Sequence, residues 1–209
     1  VPKFALKIIL GEMSDLLLGS LKVSSAKIIE SGFTFQHPYL LSALTDICKN
    51  SINEFIVEHW LPLPIDEIFS FFKEPKNLEK ITPSYLNFKV LNQSSKEINE
   101  GTKINYRLSL RGIPMWWQSK ILDWEPNHKF SDTQIHGPYN HWHHTHEFEE
   151  KEGGTLIRDH VKYKLPFGIP GDCVAGSWVQ KDLENIFDFR KKKIREIFKD
   201  QILFSHSKV

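Results

Sequence analysis

The chain has 209 residues, 40% hydrophobic and 25% charged, a length and apolar content that can bury one good core, or one core with a small appendage. Its formal net charge of +1 offers no wide positive field for nucleic acid, and no apolar run reaches the roughly 18–20 residues that a membrane span needs. Cys48 and Cys173 are solitary, without CxxC spacing or a secretory signal, so the chain reads as a reduced, cytoplasmic protein.

The first residues are Val1-Pro2-Lys3 rather than methionine, and a helical pattern begins at once, as expected of a piece of something longer. Pro2 suits a first helical turn, and Phe4, Ala5, Ile8, Ile9, Glu12 and Met13 follow at helical spacing. Ser24 and Ser25 cap a short helix from Ala26 to Ser31, which Gly32 stops, and a third begins after Pro38 and runs through Tyr39, Leu40, Leu41, Ser42, Ala43 and Leu44. Three short helices over residues 1–50 cannot hold a core unaided, so they are expected to dock on something.

From Ile52 the pattern changes. Residues 55–61 read as a strand ended by Pro62 and Pro64. Ile65, Ile68, Phe69 and Phe72 then mark a short amphipathic helix with Asp66 and Glu67 in its first turn, and a second helix spans 77–82 before Pro83. Six strand patterns follow, at 88–91, 102–110, 116–124, 129–135, 142–149 and 155–165, separated by short turns that make neighbours antiparallel. After Pro166 to Gly171 comes a long helix with Leu183, Ile186, Phe187, Ile194, Ile197 and Phe198 on its apolar stripe. Its run Arg190-Lys191-Lys192-Lys193-Ile194-Arg195 reads as a solvated face near the helix end. A seven-stranded antiparallel sheet with one long helix across its single buried face predicts an α+β fold, and a twisted sheet curling round that helix leaves a gap for a pocket.

The densest chemistry lies between Gly137 and Phe148. Alternation places Trp142, His144, His146 and Phe148 on one face and His141, His143, Thr145 and Glu147 on the other. Buried imidazoles need partners or cost about 1–3 kcal/mol each, so two of them beside Trp and Phe suggest a half-polar cavity wall rather than plain packing. The same alternation offers Asp159, Val161 and Tyr163 on the next strand, Phe130, Asp132 and Gln134 on the preceding one, and Tyr106 and Trp117 earlier. Trp117, Trp142, Phe148 and Tyr163 are expected to supply apolar area and His144, His146 and Asp159 to orient a ligand by hydrogen bonds, with Tyr106 and Gln134 as further lining.

Residues from about 55 to 198 resemble the START-like, or SRPBCC, superfamily of helix-grip proteins, which includes birch-pollen allergens, polyketide cyclases and lipid-transfer domains. The motifs are Phe130-Ser131-Asp132-Thr133-Gln134, Gly137-Pro138-Tyr139, Trp142 to Phe148, Gly153-Gly154-Thr155, Leu165-Pro166-Phe167-Gly168 and Ile186-Phe187-Asp188-Phe189-Arg190. They are similar to a bacterial subfamily some of whose members carry the label "cell division inhibitor", which no residue here supports mechanistically. The resemblance implies a helix-grip fold over 51–209 that holds a small hydrophobic molecule. Val1-Pro2-Lys3-Phe4-Ala5-Leu6, Leu10-Gly11-Glu12-Met13, Gly32-Phe33-Thr34-Phe35 and His37-Pro38-Tyr39-Leu40 resemble instead the C-terminal domain of NAD(P)-dependent sugar-nucleotide-epimerase-like proteins, some of which are fused to SRPBCC domains. That likeness implies a parent oxidoreductase or isomerase and a docking partner for 1–50, either a Rossmann domain or the SRPBCC domain.

No GxGxxG follows a strand and no Tyr-x-x-x-Lys pair is present, so this chain is not expected to bind NAD(P), and neither a resident cofactor nor a catalytic residue is assigned. Two alternatives to simple binding stay open. One is an acid–base enzyme of polyketide cyclase type using His144, His146 and Asp159. The other is a metal site in which His144 and His146, two apart on a strand, are joined by Asp159.

Overall fold

In the computed structural model the described residues are 7, 11, 14, 19, 24–40, 42–43, 52–166 and 168–206, with the side chains of 168–175 and 204–206 outside the description. The chain forms two compact units, residues 1–43 and 44–209. In the first, α1 is Ala26–Glu30. Its cap comes from Ser24, whose Oγ accepts from the Ala26 N–H at 3.3 Å, whereas Ser25 makes no capping bond. Gly32, at φ +86°, ends it as expected, because an L side chain there would be strained. The helical patterns expected at Phe4, Ala5, Ile8, Ile9, Glu12 and Met13, and the Leu41 and Leu44 positions of the third helix, lie outside the described residues.

In the second unit, β1 (Asn53–Leu61) is followed by α2 (Ile65–Phe72) and α3 (Pro75–Lys80). Helix α2 buries Ile68, Phe69 and Phe71. Helix α3 starts two residues before the expected position because Pro75 fits a first turn and the Glu74 side chain accepts from the Lys76 N–H at 3.4 Å. A 3-10 turn, Ser84–Leu86, closes on Asn87 at φ +45°, and the chain enters β2 (Lys89–Gln93), β3 (Lys103–Leu110), β4 (Ile113–Glu125), β5 (Lys129–His136), β6 (His141–Lys151) and β7 (Gly154–Lys164). All neighbours are antiparallel, in the order β1-β7-β6-β5-β4-β3-β2. Register shifts at Val90/Asn92, Gln118/Ser119 and Leu122/Glu125 are bulges that bend the sheet.

The long helix α4 is Gly168–Ile197, and α5 is Lys199–His206. Leu183, Phe187 and Ile194 are buried on α4 and Phe198 beyond it, while Ile186 is half-buried and Ile197 is 36% exposed. Arg190 is buried with this stripe, 9% exposed, which corrects its reading as part of a solvated face. It sits three residues after Phe187 and four before Ile194, and helical geometry puts all three on one side. Buried side chains gather in three apolar groups: around Phe69, Phe130, Phe148 and Ile194; around Val161, Tyr163, Leu183 and Phe187; and around Ile104, Tyr106 and Ile121. This is the α+β, seven-stranded architecture expected from the pattern of elements, and the helix-grip fold that the resemblance implies. Among the described residues no helix is long and apolar enough to cross a membrane.

Candidate functional site

Strand register assembles the site. Asp132 on β5 lies directly across from His144 on β6, and His146 directly across from Asp159 on β7. Directly opposed residues have Cβ atoms about 4.5–5.5 Å apart, so two imidazoles and two carboxylates meet on the buried face. His144 and His146 are two residues apart on one strand, and their rings lie 3.9 Å apart between centroids.

Asp159, 5% exposed, is the hub. Its Oδ1 lies 2.8 Å from His144 Nε2 and 2.7 Å from His146 Nδ1. The first contact is a hydrogen bond. The second is close but poorly aligned, and Nδ1 makes no well-formed bond. Burial alone would raise the Asp159 carboxyl; the electrostatic pull of the neighbouring His146, then the hydrogen bond from His144, outweigh it and hold the group well below the usual carboxylate range. Burial, then the neighbouring His146, pushes His144 down to about 4, so its ring is neutral at pH 7. With a proton on Nε2 toward Asp159, Nδ1 of His144 keeps a free lone pair, 3.9 Å from Asp132 Oδ1.

Asp132 is held from behind. Trp117 Nε1–H donates to Ser119 Oγ at 3.0 Å, and the Ser119 hydroxyl donates to Asp132 Oδ2 at 2.8 Å, so that Oδ1 is the oxygen turned to His144. Arg190 comes in from α4 with its guanidinium 4.6 Å over the Phe187 ring and Nη1 4.0 Å from Asp159 Oδ1, a charge pair without a hydrogen bond. Nε and Nη1 are buried without hydrogen-bond partners among the described residues, and burial lowers the guanidinium from its ordinary value against the pull of Asp159 and Asp132.

Of these polar groups, Ser119, Asp132, His144, His146 and Arg190 form one end of a cavity of about 170 Å³ between the sheet and α4. Leu86, Phe88, Leu108, Leu110, Leu183 and Ile186 make its apolar wall. The β3–β4 turn closes toward α4 beside it: Arg111 Nη2 lies 3.2 Å from both Asp182 oxygens and the guanidinium 5.2 Å from the Trp178 ring.

Of the residues singled out in the sequence, Tyr106, Trp117, Trp142, His144 and His146 line this cavity. Asp159 stands behind the histidines, off the wall. Gln134 clamps a turn instead, its Nε2 donating to the Tyr139 carbonyl at 2.7 Å and its Oε1 accepting from the Tyr139 N–H at 3.3 Å, and so it places the Tyr139 ring on the wall. Phe148 packs in the core, edge-on to Phe69 at 5.4 Å, and Tyr163 lies behind Tyr139 and Trp142 at 5.9 and 6.4 Å. Arg190 was not among them; its helical spacing from Phe187 and Ile194 is the signal that points to it.

Residues 61–185 match the family model described as polyketide cyclase / dehydrase and lipid transport, over more than half of the chain. The chain belongs to that family. Ahead of this polyketide cyclase-type domain, residues 1–47 match a model described as a domain of unknown function (DUF1731). No curated protein matches the chain. Among solved structures, the domain is similar to the di-domain ARO/CYC StfQ from the steffimycin biosynthetic pathway, with 10% identity, 75% of this chain and 54% of that one covered, and a TM-score of 0.61. Protein Ms6760 from Mycobacterium smegmatis matches at 14% identity over 73% of this chain and 98% of that one, with a TM-score of 0.54. A nucleoside-diphosphate sugar epimerase from Corynebacterium glutamicum matches at 20% identity over 69% of this chain and 29% of that one, with a TM-score of 0.53. At these identities the likeness is one of fold.

Proposed function

We propose that this polyketide cyclase-type domain binds a small, largely hydrophobic molecule between its sheet and α4, as part of an epimerase–SRPBCC fusion. The observation that carries the reading is the cavity of about 170 Å³, apolar along Leu108, Leu110 and Leu183 and polar at the end formed by Ser119, Asp132, His144, His146 and Arg190. Burial of apolar ligand surface stabilises the complex by about 25 cal/mol per Å², and the few polar groups fix its orientation. Asp159 acts through the histidines. The fusion is supported by the epimerase match: 69% of this chain is far more than residues 1–43, so the matched part of that epimerase includes the fold of the sheet domain.

A second reading, acid–base chemistry of cyclase type through His144, His146 and Asp159, is favoured by one feature. His144 is neutral at pH 7, with Asp159 on Nε2 and a lone pair on Nδ1, the arrangement of an oriented general base. Native mass spectrometry of the purified chain tests the binding reading. A co-purified organic mass that leaves on denaturation is the expected result, and an empty chain that also fails to take up apolar probes would overturn it. Conversion of a bound polyketide-like substrate, lost in His144→Gln, would promote the second.

A further inference from the structure

We propose that Asp132, His144 and His146 form a binding site for one divalent transition-metal ion of the zinc type, opening on the apolar cavity. Each can offer a ligating atom, and the three atoms lie within 4.8 Å of one another. In a tetrahedral zinc site, with bonds of about 2.0–2.1 Å, ligand atoms sit about 3.3 Å apart, so small side-chain rotations bring these three to bonding distance.

The surroundings orient all three donors. Asp159 Oδ1 faces one nitrogen of each imidazole, at 2.8 and 2.7 Å. The hydrogen bond to His144 fixes that ring's tautomer and directs its opposite nitrogen to the ion, and the close carboxylate restrains the His146 ring beside it. Ser119, itself held by Trp117, occupies Asp132 Oδ2 and leaves Oδ1 to ligate. Asp159 is therefore the outer carboxylate rather than the third ligand expected from sequence, its single inner oxygen being shared by two imidazoles. Arg190, 4.0 Å from Asp159, balances that charge, so the charge the ion meets directly is that of Asp132. Three protein ligands from neighbouring strands leave a coordination position toward the cavity, where a cargo oxygen can bind.

The test is cobalt and zinc titration of the chelator-stripped full chain, read by Co²⁺ absorption and by elemental analysis after gel filtration. One equivalent is expected, with the ligand-field bands of a nitrogen- and oxygen-ligated ion. Asp132→Asn should lose binding by at least about 100-fold, and Asp159→Asn should weaken it by about 10–100-fold as an orienting residue does. The double variant His141→Ala/His143→Ala, on the opposite face of β6, should bind as the parent does. Substoichiometric uptake, or uptake that survives Asp132→Asn and vanishes with His141 and His143, overturns the site. Circular dichroism checks the fold, and Asp132→Asn, nearly isosteric at a half-buried position, reads the loss of binding on a folded chain. Native mass spectrometry of the same metal-free sample reads the apolar cargo separately.

Discussion

His59 on β1 offers the clearest test of the electrostatics under α4. Its Nε2 accepts a hydrogen bond from Arg195 Nε at 3.2 Å, and the residue is 7% exposed. Burial, then the charges of Arg195 and Lys191, pushes its pKa down to about 4 against the opposing pull of Asp159. In the unfolded chain the imidazole titrates near 6.5. Between those values the unfolded state takes up a proton that the folded state refuses, so folding stability falls as pH drops from about 6.5 to about 4 and loses nothing more from this residue below that. At about 1.4 kcal/mol per pKa unit, the depression amounts to about 3 kcal/mol, a large share of the 5–15 kcal/mol typical of a domain. His59→Gln keeps an acceptor for Arg195 and cannot titrate. Urea unfolding at about pH 7, 5.5 and 4.5 should show the parent and the variant within about 1 kcal/mol at the highest pH and the variant relatively more stable by about 2–3 kcal/mol at the lowest. Parallel pH curves for the two proteins would refute the argument, because a histidine not held neutral in the fold gives no such difference.

The double substitution His144→Ala with His146→Ala should weaken retention of apolar cargo without unfolding the chain, as read by native mass spectrometry beside circular dichroism; unchanged affinity would remove both from the site. Leu183→Trp should fill the cavity and abolish uptake of an apolar fluorescent probe, with a stability change within the roughly 1–3 kcal/mol typical of overpacking. Thr155→Val removes the 2.7 Å bond from Thr155 Oγ1 to the Leu63 carbonyl and should cost about 1–3 kcal/mol in denaturant unfolding, because that bond is buried. Gly154→Ala should be worse tolerated, since a Cβ there would run into the Leu61 carbonyl oxygen, and backbone cannot step aside as a flexible side chain does.

The strands were legible because alternation and turn residues are local properties, and the face shared by Trp142, His144, His146 and Phe148 followed from them directly. What those residues touch was not. His146 meets Asp159 and His144 meets Asp132 only because of the registers of β5, β6 and β7, which depend on turn geometry and bulges far from the pairs themselves. Gln134 has the right strand parity for the wall, yet its amide satisfies both backbone groups of Tyr139 and the tyrosine takes the wall position. Arg190 was hidden by its neighbours: a run of four cations reads as solvated, although helical spacing turns the first of them inward.

The Arg111 contacts bear on how cargo would come and go. At the polar end of the cavity, Asp132, His144 and His146, with Asp159 behind them, belong to three hydrogen-bonded strands, whose separation would unzip the sheet. At the rim beside Leu110 and Leu183, the β3–β4 turn meets α4 through one ion pair with side chains 58% and 33% exposed and one exposed cation–π contact. Each is worth only about 0–1 kcal/mol in water, so thermal motion can part them often. The cavity is thus stiff at its polar end, where the sheet ladder holds it, and loosely closed beside the β3–β4 turn.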